Sequence, residues 1–115
     1  MKKIAVVGLG YVGLPLALEF GKIRSVVGYD IDFPRVKSLQ KGHDITRSFS
    51  ATELSEASLL SFTHRIDEIS DCSVFIVTVP TPVDAVNRPC LEPLLKVSEA
   101  IGSILKKGDI VIYES

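Results

Sequence analysis

The chain has 115 residues, a formal net charge of -1, 46% apolar and 23% charged residues, which sets one globular domain able to bury roughly two thirds of its unfolded surface. The near-neutral charge supplies no field to draw nucleic acid or an anionic membrane, and the apolar run behind Lys2 and Lys3 is too short for a signal peptide or a membrane span. Two cysteines, Cys72 and Cys90, lack paired spacing and suit a reducing compartment, so a cytoplasmic location is expected.

Ile4 to Val7 reads as a short buried strand. It breaks into Gly8, Gly10 and Gly13, and a helix follows from about Val12 to Lys22, with Val12, Leu16 and Phe20 on one face and Leu14 and Leu18 widening it. In such a strand, glycine turn and helix, Gly8 permits the tight turn, Gly10 lets a pyrophosphate approach the backbone, and Gly13 lets the helix pack close to the strand. The unpaired amides around Tyr11 and Val12 then face the phosphates with the positive end of the helix dipole. Pro15 fits, because a missing N–H costs little in the first turn.

Val26-Val27-Gly28-Tyr29-Asp30 is a second strand ending in a carboxylate twenty residues after Gly10, and this context makes the glycine spacing a dinucleotide fingerprint. Asp30 is placed to accept hydrogen bonds from the adenosine ribose. It would repel a 2′-phosphate by about 1 kcal/mol at 4 Å in water and about 4 kcal/mol at an effective dielectric near 20. The expected cofactor is therefore NAD and not NADP. Arg35 lies against the adenine or ribose, or is a surface helix residue.

Asp32 caps the next helix, Pro34 sits in its first turn, Val36 and Leu39 form its inner face and Gly42 ends it. Gly42 to Ser50 has no period and is a loop. Thr52 or Ser50 caps a short helix to about Ser58, Leu59 to Phe62 is a third strand, and Ile66 to Ser70 a short helix or turn. Val74 to Val79 is a run of the kind buried on both sheet faces, stopping at Pro80-Thr81-Pro82. Thr81 either meets the nicotinamide half of the cofactor or is a turn residue between prolines. Leu91, Leu94, Leu95, Ile101, Ile104 and Leu105 mark a long amphipathic helix, with Pro93 in its first turn and Gly108 past its end, and Ile110 to Tyr113 is the last strand.

Strands alternating with helices predict an α/β Rossmann-type domain over residues 1–115, a doubly wound parallel sheet in the order 3-2-1-4-5 with helices on both faces. Its ligand crevice falls between the carboxyl ends of strands one and four. Cys90 reads as an incidental thiol and Cys72 as core. His43 and His64 lack metal-site spacing, and Glu53, Glu56, Asp67 and Glu68 read as solvated faces and helix-start charges.

Three stretches together resemble the UDP-glucose/GDP-mannose dehydrogenase family: Gly8-Leu9-Gly10-Tyr11-Val12-Gly13-Leu14-Pro15, Gly28-Tyr29-Asp30-Ile31-Asp32 and Val77-Thr78-Val79-Pro80-Thr81-Pro82-Val83-Asp84. The Pro-Thr-Pro-Val-Asp form and the Asp44-Ile45-Thr46 loop are more similar to the branch acting on UDP-N-acetylhexosamines. Ser48 stands where that branch more often has a carboxylate, and Cys90 where it has an aspartate cap.

The resemblance implies NAD-dependent oxidation of a sugar C6 alcohol to a carboxylate, in two hydride transfers through a cysteine-bound intermediate, for surface polysaccharide synthesis. It implies cofactor contacts from Gly8, Gly10, Tyr11, Val12, Gly13, Asp30, Ile31, Arg35, Pro80 and Thr81. No catalytic or metal-binding residue is expected within these residues, because the family's catalytic cysteine lies in a later domain that takes the UDP-sugar. The chain thus reads as a truncated N-terminal part, inactive alone and prone to self-association through its last strand. The alternatives are a non-catalytic nucleotide-sensing regulatory domain and another NAD-dependent dehydrogenase.

Overall fold

The first strand, β1 (Ile4–Val7), is buried at every position and lies at the middle of a five-stranded sheet. The structure, a computed structural model, describes residues 2–80, 83 and 85–114. The other strands are β2 (Val26–Tyr29), β3 (Leu60–Thr63), β4 (Val74–Val77) and β5 (Ile110–Tyr113), and the helices are α1 (Gly13–Gly21), α2 (Phe33–Gln40), α3 (Ala51–Glu56) and α4 (Glu92–Gly102). A 3-10 turn, Ile66–Ile69, precedes β4.

All strand pairs are parallel and the order is β3-β2-β1-β4-β5, as the alternation of strands and helices predicts. Val7 pairs with Tyr29 on one side and Val77 on the other, so the carboxyl ends of β1, β2 and β4 lie level. That row of strand ends is the floor of the crevice.

Apolar layers cover both faces. Ile4, Val6, Val26 and Ile76 pack with Leu14, Ala17, Leu18 and Leu39 on one face. Ala5, Val7, Val27, Phe75 and Val77 pack with Ile69, Cys72 and Ile101 on the other. Successive strand residues point to opposite faces, which is why an unbroken apolar run serves a sheet covered on both sides.

Several elements differ from the sequence reading. The buried face of α1 is Gly13, Leu14, Ala17, Leu18 and Gly21, with Leu16 and Phe20 only partly buried and Val12 exposed. The small residues Gly13, Ala17 and Gly21 recur every fourth position and turn toward the sheet. A Cβ on Gly21 would stand 2.7 Å from that of Leu60, so the closest approach is made where bulk is missing.

The cap of α3 is Ser50, not Thr52, and Glu53 returns a carboxylate to the Ser50 N–H at 2.9 Å in a capping box. β3 begins one residue later than expected and α4 is shorter. In α4 only Ile101 is buried while Leu95 is exposed, and Leu91 and Leu105 lie outside the helix and are exposed too. No side chain caps its first turn, which carries Pro93 and Glu92. β5 forms where expected and is the largely exposed edge that the sequence reading anticipates, at 47% for Ile110, 42% for Ile112 and 55% for Tyr113.

Candidate functional site: the glycine turn and its clasp

At the end of β1 the chain turns through Gly8, whose φ of +100° is left-handed backbone that favours glycine. Thr78, the residue after β4, donates its hydroxyl to the Gly8 carbonyl at 2.7 Å and lies 3.1 Å from that of Val7. This buried hydroxyl ties the end of β4 to the turn. A Cβ on Gly13 would stand 2.8 Å from the Gly8 carbonyl carbon and closer still to its oxygen and to Thr78 Oγ1, so the start of α1 is pressed against the turn. A Cβ on Gly10 would meet nothing within 4 Å. Gly13 is therefore required by packing, while Gly10 faces open space.

The first helical bond of α1 runs from the Leu14 N–H to the Gly10 carbonyl at 3.1 Å, and no side chain caps the helix. Among the described residues no acceptor meets the N–H groups of Tyr11, Val12 and Gly13. Unmet amides at a helix N-terminus, beside a glycine that leaves the space clear, are an anion cradle.

Leu9 is the fixed point of this turn. Its side chain is buried, its N–H donates to Asp30 Oδ2 at 2.9 Å, and its carbonyl accepts from Arg35 Nε at 3.2 Å and Nη2 at 2.8 Å. Asp30 Oδ1 accepts from the Asp32 N–H at 2.9 Å. Each Asp30 oxygen thus holds one backbone donor and keeps lone-pair capacity for a diol. Ile31 and Tyr11 are both exposed.

Arg35 sits in the first turn of α2, where its N–H bonds the Asp32 cap at 3.1 Å. Its guanidinium turns inward, and Nη1 meets Asp44 Oδ1 at 2.7 Å in an ion pair whose side chains are 12% and 0% exposed. The surface alternative for Arg35 is thereby corrected. Asp44 also accepts from the Thr46 N–H and hydroxyl and from the Ser48 and Phe49 N–H groups. Burial pushes its carboxyl up, but the bonds from Arg35, Thr46 and Phe49 outweigh that and hold it down at about 2. The irregular segment between α2 and α3 is therefore wound round one buried charge.

A pocket of about 200 Å³ lies between this segment and the glycine turn, lined by Gly10, Tyr11, Leu14, Pro15, Arg35, Thr46, Ser48 and Phe49. A larger open groove of about 420 Å³, between α2, α3 and β3, contains no part of the turn. The fold and the cradle are those of a dinucleotide-binding domain, and the comparison with known proteins agrees. Residues 2–115 match the UDP-glucose/GDP-mannose dehydrogenase family, NAD binding domain.

The chain belongs to this family. It is 62% identical over 113 residues to a UDP-N-acetyl-D-glucosamine 6-dehydrogenase of Pseudomonas aeruginosa and 51% identical to one of Salmonella typhi. Each match takes in 98% of this chain and 27% of the relative. A solved UDP-D-ManNAc dehydrogenase from Pyrococcus horikoshii superimposes with a TM-score of 0.88 at 33% identity, over 98% of this chain and 28% of that one. This chain thus spans about a quarter of the length of these relatives.

As an NAD-binding domain of the family, the chain fits its cofactor. The cradle has room at Gly10, unmet donors for a pyrophosphate and a carboxylate for a ribose. The structure brings Gly8, Gly10, Tyr11, Val12, Gly13, Asp30, Ile31 and Arg35 to one end of the sheet. Pro80 is exposed beyond β4 on the same side, and Thr81 lies outside the described residues.

Sequence reading did not identify Asp44 as part of the site, nor Thr78. Among the described residues no group of three or more His, Cys, Asp or Glu could hold a metal ion, and none of the helices is long and apolar enough to cross a membrane. Cys72 is buried, which pushes its thiol up to about 11, and Cys90 is exposed.

Proposed function

We propose that this domain holds NAD for the oxidation of a nucleotide-sugar C6 alcohol to a carboxylate, with a UDP-N-acetylhexosamine as substrate. The catalytic groups of that reaction are assigned to residues outside these 115. The names of the two relatives and their identities of 62% and 51% support the substrate class. The observation that carries the cofactor site is the Asp30 carboxylate bonded to the Leu9 N–H, which sets the ribose-binding group and the phosphate cradle in one rigid unit.

In this reading the N–H groups of Tyr11, Val12 and Gly13 bind the pyrophosphate, and Gly8 and Gly10 keep the backbone accessible to it. Asp30 accepts from the adenosine ribose, Ile31 lies along the adenine side, and Arg35 holds Leu9 in place. Pro80 and Thr81 border the nicotinamide half. NAD, when bound, accepts hydride from the alcohol carbon. The domain's own work is to fix the orientation in which it does so.

The exposed β5, an apolar edge strand, supports a second assignment: self-association of this chain through β5.

Calorimetric titration with NAD and with NADP, repeated on Asp30→Ala, tests the cofactor site. NAD should bind in preference to NADP, and the substitution should weaken NAD by about tenfold or more, the cost of a charged hydrogen bond. Equal NAD affinity in the variant, or no NAD binding to the chain, would contradict the assignment.

A further inference from the structure

An arginine in the first turn after the second strand of a dinucleotide-binding sheet can receive a 2′-phosphate. This chain has such an arginine, and its charge is already spent. Arg35 uses Nε and Nη2 on the Leu9 carbonyl and Nη1 on Asp44. Asp44 in turn has no exposed side-chain surface and is locked by four donors from Thr46, Ser48 and Phe49. The carboxylate cannot swing aside for a ligand, and the guanidinium cannot leave without stranding a buried charge.

We infer that Asp44 is a second determinant of NAD over NADP, acting through Arg35. Asp30 repels a 2′-phosphate directly. Asp44 withholds the Arg35 cation, which could offset that repulsion, and opposes its field. The inference rests on the cofactor assignment above. It makes Asp44 a positioning residue, because it touches Arg35 and the segment 44–49 and not the cofactor.

The same contacts explain why the arginine is kept at all. Arg35 takes the Leu9 carbonyl, which would be the intrahelical partner of the Gly13 N–H, an amide that has no acceptor among the described residues. An apolar residue at 35 would forgo this bond. A free arginine would admit the wrong cofactor. An arginine paired to a buried aspartate keeps the bond without the charge.

The test measures NAD and NADP dissociation constants by NMR titration of this chain, which reaches millimolar affinities, for the wild type, Asp44→Asn, Arg35→Gln and the double variant. Asp44→Asn should lower the NAD-over-NADP preference by roughly three- to tenfold, the effect of one released charge acting through a partly screened path of several ångströms. Arg35→Gln uncovers the Asp44 charge and should keep or raise the preference, and the double variant, which removes both charges of the pair, should keep the wild-type preference. The Arg35 Nη1–H resonance, bonded to Asp44 Oδ1 at 2.7 Å in the wild type, should exchange faster with water in Asp44→Asn.

A merely structural role would weaken both cofactors by one factor and leave the preference intact, which would overturn the inference, as would an Nη1–H that exchanges in Asp44→Asn as slowly as in the wild type. If Asp44→Asn does not fold, the double variant decides: a selective loss of NADP affinity there, with neither charge of the pair left uncovered, would mean that Arg35 already serves the 2′-phosphate, and refute it. Absence of NAD binding in the wild type would contradict the cofactor assignment itself, whereas normal NAD binding with an unaltered preference in Asp44→Asn contradicts this inference alone.

Discussion

Gly10 and Gly13 lie three residues apart in one turn, and the structure assigns them opposite roles that substitution by alanine separates. In Gly13→Ala the new methyl falls 2.8 Å from the Gly8 carbonyl carbon and nearer still to its oxygen and to Thr78 Oγ1. Two of these atoms are backbone of the turn, and the hydroxyl is committed to two carbonyls, so nothing flexible can yield. Overpacking of this kind costs about 3 kcal/mol. With an unfolding entropy near 2.1 cal/mol/K per residue, that lowers Tm by about 12 °C for a domain of this size.

Gly10→Ala adds its methyl to open space, so its stability should stay within about 0.5 kcal/mol of the wild type. The methyl occupies the space over the cradle, however, and NAD should bind at least about tenfold more weakly. Thermal unfolding followed by circular dichroism reads the first effect and calorimetric titration the second. A Gly10→Ala protein that binds NAD as the wild type does, or a Gly13→Ala protein with an unchanged Tm, would refute the division of roles.

Three further outcomes are expected. The Asp44 carboxyl, held at about 2 in the fold against an ordinary 3.8, is depressed, so its contribution of about 2 kcal/mol is present above pH 4 and is lost as pH falls toward 2; urea unfolding from pH 5 to 2 should show this slope in the wild type and a reduced one in Asp44→Asn. With Cys72 buried and its thiol raised to about 11, and Cys90 exposed, a disulfide reagent at pH 8 should label one thiol per native chain quickly and the second only on unfolding. Sedimentation should show concentration-dependent self-association that Ile112→Lys abolishes, since Ile112 is exposed on the edge strand; a wild-type chain that stays monomeric at high concentration would contradict the β5 assignment.

The glycine turn and the second strand could be read from sequence because each part of that pattern is local: an apolar run, glycines at fixed spacing and a carboxylate at the end of the next run. The same holds for the Asp32 cap, where donor and acceptor lie three residues apart. Asp44 could not be read in this way. Its charged partner is nine residues back, on a helix, and its backbone donors from Thr46 to Phe49 converge on it only after the segment has curled.

A short-range signal was nonetheless present, since an aspartate followed two residues later by threonine in an irregular segment favours a side-chain-to-backbone turn. Thr78 passed unnoticed for a different reason: in a β-branched run its shape matches valine, and only the buried bonds to Val7 and Gly8 reveal the hydroxyl's part. On α1 the periodicity of large residues pointed to the wrong center of the face, because close packing against a strand selects Gly13, Ala17 and Gly21, whose lack of bulk carries no hydrophobic signal. For α4 the apolar pattern predicted the element but not its exposure, which depends on what lies against it and not on its own residues.

The central claim, that NAD is held by the turn between β1 and α1, is tested most directly by following the backbone amide resonances of this chain during titration with NAD. The account predicts the largest shifts at Gly10, Tyr11, Val12 and Gly13, with a second group at Ile31 and Asp32 beside the Asp30 carboxylate. Shifts centred instead on Leu39, Leu54 and Phe62, in the groove between α2, α3 and β3, or no shifts at millimolar NAD, would contradict it.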